Sequence, residues 1–179
     1  MTQRIEPVVI ELPDPCVVVL VGAAGAGKST FAARHFAAGE ILSSDAFRAM
    51  VSGRESDQRA TRTAFSILNR QLAKRLLAGR TSVIDATNVT PYARRSILRA
   101  AAASRTPVVA IVLELDPALV IARNAARAGR VVPEEAVRHQ LAHLERAMAR
   151  GALDREGFSA VHRIRTADEL DHVEVRRSS

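Results

Sequence analysis

Gly22-Ala23-Ala24-Gly25-Ala26-Gly27-Lys28-Ser29 is the stretch on which the fold turns. It satisfies G-x-x-x-x-G-K-[ST], a pattern with mechanical meaning only between a strand and a helix. Both neighbours are of the required kind. Before it, Cys16 to Val21 is a short, continuous apolar run bounded by Pro13, Pro15 and Gly22, as expected of a strand buried on both faces. After it, Thr30 to Ala38 has helical spacing. Small residues in such a turn let backbone N–H groups approach phosphate, and the helix N-terminus adds a favourable dipole. Lys28 then reaches the β and γ phosphates of ATP, and the Ser29 hydroxyl ligates Mg²⁺. Gly22, Gly25, Ala26, Gly27 and Thr30 complete the nucleotide cradle.

Further short apolar runs recur at Ile41 to Leu42, Ser82 to Ile84, Val108 to Leu113 and Val161 to Ile164. Helical spacing fills the gaps: Gln58 to Ala78, Pro91 to Ser104, a segment from Pro117 to near Gly129, and Pro133 to about Arg150. Strand alternating with helix requires crossover connections. The fold class is therefore α/β: a parallel sheet flanked by helices on both faces, with ligands at the carboxyl edge of its strands. The ends, before about Leu12 and after Val175, read as loose or edge segments.

At 179 residues and 47% hydrophobic content the chain suits one domain over 1–179, with a core at about 15–165. No apolar run approaches the roughly 20 residues that span a bilayer, and Glu6, Glu11 and Asp14 do not fit a signal peptide. A soluble, cytoplasmic protein with no membrane partner is expected, and the lone cysteine, Cys16, fits a reducing compartment. The net charge of +7 favours acidic ligands. Yet all basic residues except Lys28 and Lys74 are arginine and alanine is abundant, a sign of biased codon usage, so charge serves only as a tie-breaker.

Thr81 to Asp85 reads as the second phosphate-site strand, ending in an acid able to hold the magnesium water shell. Asp85 is also compatible with a strand-ending turn. The next residue is Ala86, where a water-activating glutamate would favour hydrolysis, so transfer to an acceptor is favoured. Neither lysine follows asparagine, which disfavours the guanine-binding Asn-Lys-x-Asp of a switch protein.

On the acceptor side, Ser43-Ser44-Asp45-Ala46-Phe47-Arg48 follows the strand at Ile41 and Leu42. If a helix begins there, Asp45 and Arg48 share a face: the carboxylate can accept a hydroxyl proton and the guanidinium can fork onto a phosphate. An Asp N-cap beside a solvated Arg is the alternative. Arg123, Arg127 and Arg130, spaced four and three apart, are expected along one helical face ending at Gly129. With no carboxylate between Ile121 and Val132, they suit a lid over the triphosphate, or else a solvated basic face.

The strings GAAGAGKSTFAARHF, SSDAFR, SDQRATRTAF, VIDATN and REGF, with the Arg123 to Arg130 segment, resemble the kinase module of bacterial polynucleotide kinase-phosphatase over about Val17 to Ile164. The resemblance implies a P-loop kinase that moves the γ-phosphate of ATP to a 5′-hydroxyl end of RNA or DNA. It further implies Lys28 and Ser29 for ATP and Mg²⁺, Asp45 as general base, and Arg48 and Gln58 on the acceptor strand. Arg123 and Arg130 match arginines that grip the triphosphate. Pro133 departs from the family pattern just after them. Larger members append phosphatase and ligase modules, so a fragment of a longer repair protein or a stand-alone kinase is expected, with a homo-oligomer left open. A kinase of a small metabolite, of gluconate or nucleotide type, is the principal rival, because the same cradle serves both. A nucleotide-binding switch without transfer chemistry is the second.

Overall fold

The computed structural model describes residues 8–52, 61–149 and 151–178. Its centre is a five-stranded parallel sheet built from β2 (Val17–Val21), β3 (Ile41–Ser43), β4 (Ser82–Asp85), β5 (Val108–Leu113) and β6 (Ala160–Ile164), in the order β3-β4-β2-β5-β6. β2 is the middle strand, with Val17 opposite both Ser82 and Val108. All five of its side chains are buried, which is why its sequence is a continuous apolar run rather than an alternating one.

Period-two alternation then sorts this strand between two cores. Val18 and Leu20 join one cluster with Phe31 and Ala32 of α1 (Lys28–His35), Val120 of α5 (Pro117–Ala125) and Leu170 of α7 (Ala167–His172). Val17, Val19 and Val21 join the other, with Leu68, Leu72 and Leu76 of α3 (Thr61–Leu77) and Ile97 and Ala101 of α4 (Pro91–Ala103). Those three leucines recur every fourth residue, and burying each contributes about 1.5–3 kcal/mol, enough to fix which face of α3 looks inward. α6 (Glu134–Ala149) contributes Val137 to the first cluster and Leu144 and Met148 to the second. Thr90 caps α4, its hydroxyl accepting from the Ala93 N–H, with Pro91 at the first helical position.

Of the two readings of the chain ends, loose or edge segments, the described residues take the edge form: β1 (Val9–Pro13) and β7 (Glu174–Ser178) pair in parallel as a separate two-stranded sheet. Ile10 and Leu12 point from β1 into the first core, while β7 carries only Val175 as an apolar residue and so shows no periodic signal. The helix after Pro117 ends at Ala125, not near Gly129. The cause is Asn124, whose buried side chain donates to the Val132 carbonyl at 2.8 Å and accepts from the Val132 N–H at 3.2 Å. Those two bonds fold residues 126–132 back as a loop.

Candidate active site

The cradle forms because its glycines adopt conformations other residues avoid. Gly25 has φ +91°, and a Cβ there would lie 2.4 Å from the Val120 carbonyl oxygen, so the turn presses directly on α5. Gly27 caps α1 at φ +97°, and neither a side-chain cap nor an acidic residue occupies the first turn of that helix. The first-turn amides therefore face the cavity without a competing side chain.

Lys28, only 9% exposed, folds its ammonium onto the Gly22 and Ala23 carbonyls at 2.9 Å each. Burial pulls this ammonium down to about 8; Asp85 opposes the shift, and Arg127 and Arg130 add to it. An anionic ligand would relieve that cost. Ser29 Oγ donates to Asp85 Oδ2 at 2.8 Å, a contact made possible because β2 and β4 are direct neighbours. Among the described residues no cluster of three or more His, Cys, Asp or Glu side chains could hold a metal. The donor set at Ser29 and Asp85 still fits Mg²⁺, which takes few protein oxygens and fills its shell with phosphate and water.

A cavity of about 330 Å³ gathers Gly25, Gly27, Lys28, Ser29, Thr30, Asp45 and Asp85 with Arg123, Arg127 and Arg130. Arg123 lies in the last turn of α5, whereas Arg127 and Arg130 come from the loop, so no shared helical face aligns the three. They converge because the Asn124 clamp turns the loop toward the sheet. Asp45 opens α2 (Ser44–Ser52) directly after β3. It pairs with Arg48 one turn on and with Arg130 Nη1 at 2.6 Å. Arg48 is buried and turned onto Asp45, and it does not line the cavity. Gly22 and Ala26 shape the turn from behind, Gly22 N–H donating to the Thr87 carbonyl and Ala26 N–H to the Ala23 carbonyl. Gln58 lies outside the described residues.

Several supports have no local signature in the sequence. Arg94 is fully buried; its Nε and Nη2 meet Glu156 at 2.7 and 2.6 Å, and its Nη1 donates to the Asn88 carbonyl at 2.6 Å. Asn88, at φ +50°, donates in turn to the Leu20 carbonyl at 2.8 Å. This chain of contacts ties the loop after Asp85 to β2 and joins Glu156 of REGF to Asn88 of VIDATN through Arg94. Gln140 of α6 accepts from the Ala24 N–H at 2.8 Å and so braces the cradle from the lid side.

The sequence profile of the AAA domain family matches residues 17–149. No curated protein sequence matches the chain. Among solved structures, one described as the Pnkp1/Rnl/Hen1 RNA repair complex is similar at a TM-score of 0.66 and 21% identity, covering 78% of this chain and 47% of that one. The chain thus spans about half the length of that relative. A putative kinase from Chloroflexus aurantiacus J-10-fl gives a TM-score of 0.58 at 16% identity, covering 90% of this chain and all of that one. A gluconokinase from Sinorhizobium meliloti 1021 gives 0.56 at 18% identity, covering 90% and 89%. At these identities the likeness is one of fold, the P-loop kinase fold. Among the described residues no helix is long and apolar enough to cross a membrane.

Proposed function

Because the chain belongs to the AAA domain family and has the P-loop kinase fold, we propose that it transfers the γ-phosphate of ATP to the 5′-hydroxyl end of an RNA or DNA strand. The observation that carries this reading is the shared cavity of Lys28 and Asp45, with Arg48 behind the carboxylate. A proton acceptor thereby stands beside a phosphate cradle; Arg48, buried behind it, would meet the acceptor's own phosphate only on turning from Asp45 toward the cavity.

Lys28, the α1 amides and the three arginines hold the triphosphate; Ser29 and Asp85 would hold Mg²⁺, which neutralises developing phosphate charge. Asp45 orients the acceptor hydroxyl and takes its proton as the oxygen bonds to the γ-phosphorus and the β–γ bridging bond breaks, releasing ADP. Arg130 and Arg48 both hold Asp45 Oδ1, Arg130 at 2.6 Å, so proton transfer to that oxygen requires both guanidiniums to shift. The γ-phosphate is the natural competitor for Arg130, so ATP binding would loosen one of the two clasps. Ala86, where a water-activating glutamate would otherwise stand, agrees with transfer to an acceptor.

The likeness to a gluconokinase and the compact cavity of about 330 Å³ favour a second reading, a kinase of a small metabolite. The two part at the acceptor. A nucleoside carrying a 3′-phosphate should be phosphorylated far better than the bare nucleoside at fixed ATP. Equal use of both would overturn the polynucleotide reading and favour the metabolite kinase.

A further inference from the structure

We propose that the groove between α3 and α4 carries the single-stranded body of the acceptor, beyond its phosphorylated end. The inference rests on the polynucleotide reading above and extends it to a surface away from the cavity. This groove encloses about 1360 Å³. Arg62 and Arg70 line it from α3, and Tyr92, Arg95 and Arg99 from α4.

Charge is the first argument. No aspartate or glutamate lines the groove, and its four arginines are exposed. Among the described residues none of the four has a carboxylate partner; exposed Arg80, Arg105 and Arg146 have none either, so what sets the four apart is that they gather in one groove free of acids. Arg95 and Arg99 stand four apart on one helix, where like charges oppose each other unless an anion lies between them.

The second argument is the ring of Tyr92, the chain's one tyrosine, which is 84% exposed and shares the groove with the apolar Phe65, Ala73 and Ala93. It offers a face on which a base can stack without regard to sequence, the usual companion of a basic track in single-strand binding. Acidic peptides would use the arginines but not this face.

Position is the third. α4 begins a short loop after Asp85, so Tyr92 in its first turn lies toward the carboxyl edge of the sheet, where the phosphate cavity opens. α3 packs beside α2, which carries Asp45 and Arg48. Inward-facing Leu68, Leu72, Leu76 and Ile97 anchor both helices, leaving the four arginines and Tyr92 outside the core. Its floor is joined by the Ser96 hydroxyl donating to Asn69 Oδ1 at 3.4 Å.

The test is fluorescence anisotropy with a 3′-labelled single strand of about 12 nucleotides, without ATP, over a salt series. It compares wild type with Arg62→Glu/Arg70→Glu, Arg95→Glu/Arg99→Glu and Tyr92→Ala, each checked for retained helicity. Each paired reversal should weaken strand binding by about tenfold or more and flatten the log–log salt slope by about 1.4, at about 0.7 for each phosphate that the protein no longer neutralises. Tyr92→Ala should weaken binding several-fold at unchanged slope. Both KM values, for ATP and for a nucleoside 3′-phosphate, should stay put in all three variants. Strand affinity indifferent to both paired reversals would overturn the groove, even if nucleoside 3′-phosphate is phosphorylated. A wild type that binds strands through the groove but phosphorylates no 5′-hydroxyl end would instead sink the kinase reading and leave the groove standing.

Discussion

The donor half and the acceptor half of the cavity are built from different materials. On the donor side the chemistry is carried by backbone and by side chains rooted in paired strands: the cradle turn, Lys28 on the first turn of α1, and Asp85 at the end of β4. Its contacts, Ser29 to Asp85 and Lys28 to the Gly22 and Ala23 carbonyls, link elements that the sheet already holds in register. On the acceptor side, Asp45 follows a strand of three residues and is held by guanidiniums on long side chains, one of them from a loop. On the proposed reading, a fixed half and an adjustable half suit an enzyme that binds one donor and frees its base as that donor arrives.

The sharpest way to break this contrast is Asp45→Asn. An amide cannot take the hydroxyl proton, so kcat should fall by about 10²- to 10⁴-fold while ATP binding persists, as equilibrium nucleotide binding alongside turnover would check. Unchanged turnover with lowered thermal stability would make Asp45 a mere anchor for Arg48 and Arg130. Lys28→Ala removes a cation from the triphosphate and should cost about 10²- to 10³-fold in kcat/KM for ATP, with the circular dichroism spectrum retained. Normal turnover would empty the donor half of its meaning.

Arg123→Ala and Arg130→Ala come next, each expected to lower kcat or raise the KM for ATP by about tenfold. They sharpen the comparison, because Arg130→Ala alone should also improve acceptor binding in the absence of ATP by removing one of the two clasps on Asp45. Identical behaviour of the two variants would refute that gating role.

The smallest effect is in pH. Burial depresses Lys28 to about 8 in the free protein, so its charge is complete below that value and fades above it. Triphosphate binding favours the charged form, so ATP affinity should decline above about pH 8, by at most about tenfold per unit, with proton uptake seen by calorimetry in buffers of differing ionisation enthalpy. The stability of the ligand-free protein should move the opposite way: the unfolded lysine holds its proton up to its ordinary value near 10.5, so stability from this group rises between about 8 and 10.5.

The same division governs how much could be read from the sequence. The cradle is contiguous, and β5 occupies Val108–Leu113, the very run of apolar residues that announces it. Pro91 and Thr90 likewise mark the start of α4. Helical periodicity carried Arg127 and Arg130 past the true end of α5, because the Asn124 to Val132 clamp depends on how a loop folds back. Arg94 and Glu156 are 62 residues apart, and nothing near either one signals the pairing. β7, with Glu174, Arg176 and Arg177 along it, resembles a solvated tail until β1 is laid beside it. Strand and cradle positions and the Asp45–Arg48 pair follow from local spacing; the Arg130 contact to Asp45 follows from long-range pairing, which spacing does not encode.

The terminal sheet has a mechanical consequence. β1 and β7 run parallel, Val9 opposite Glu174 and Pro13 opposite Ser178. Tension applied between residues 8 and 178 would act along both strands in opposite senses, so their interstrand bonds must shear together instead of unzipping singly. Arg177 reinforces the joint, clasping Glu40 at 2.8 and 2.7 Å and lying 5.7 Å from the Phe36 ring centroid at the end of α1. Force entering the chain at its ends would meet this clamp before it reached α1 and the phosphate turn at that helix's other end, and resistance would be set by the rate of rupture rather than by equilibrium stability.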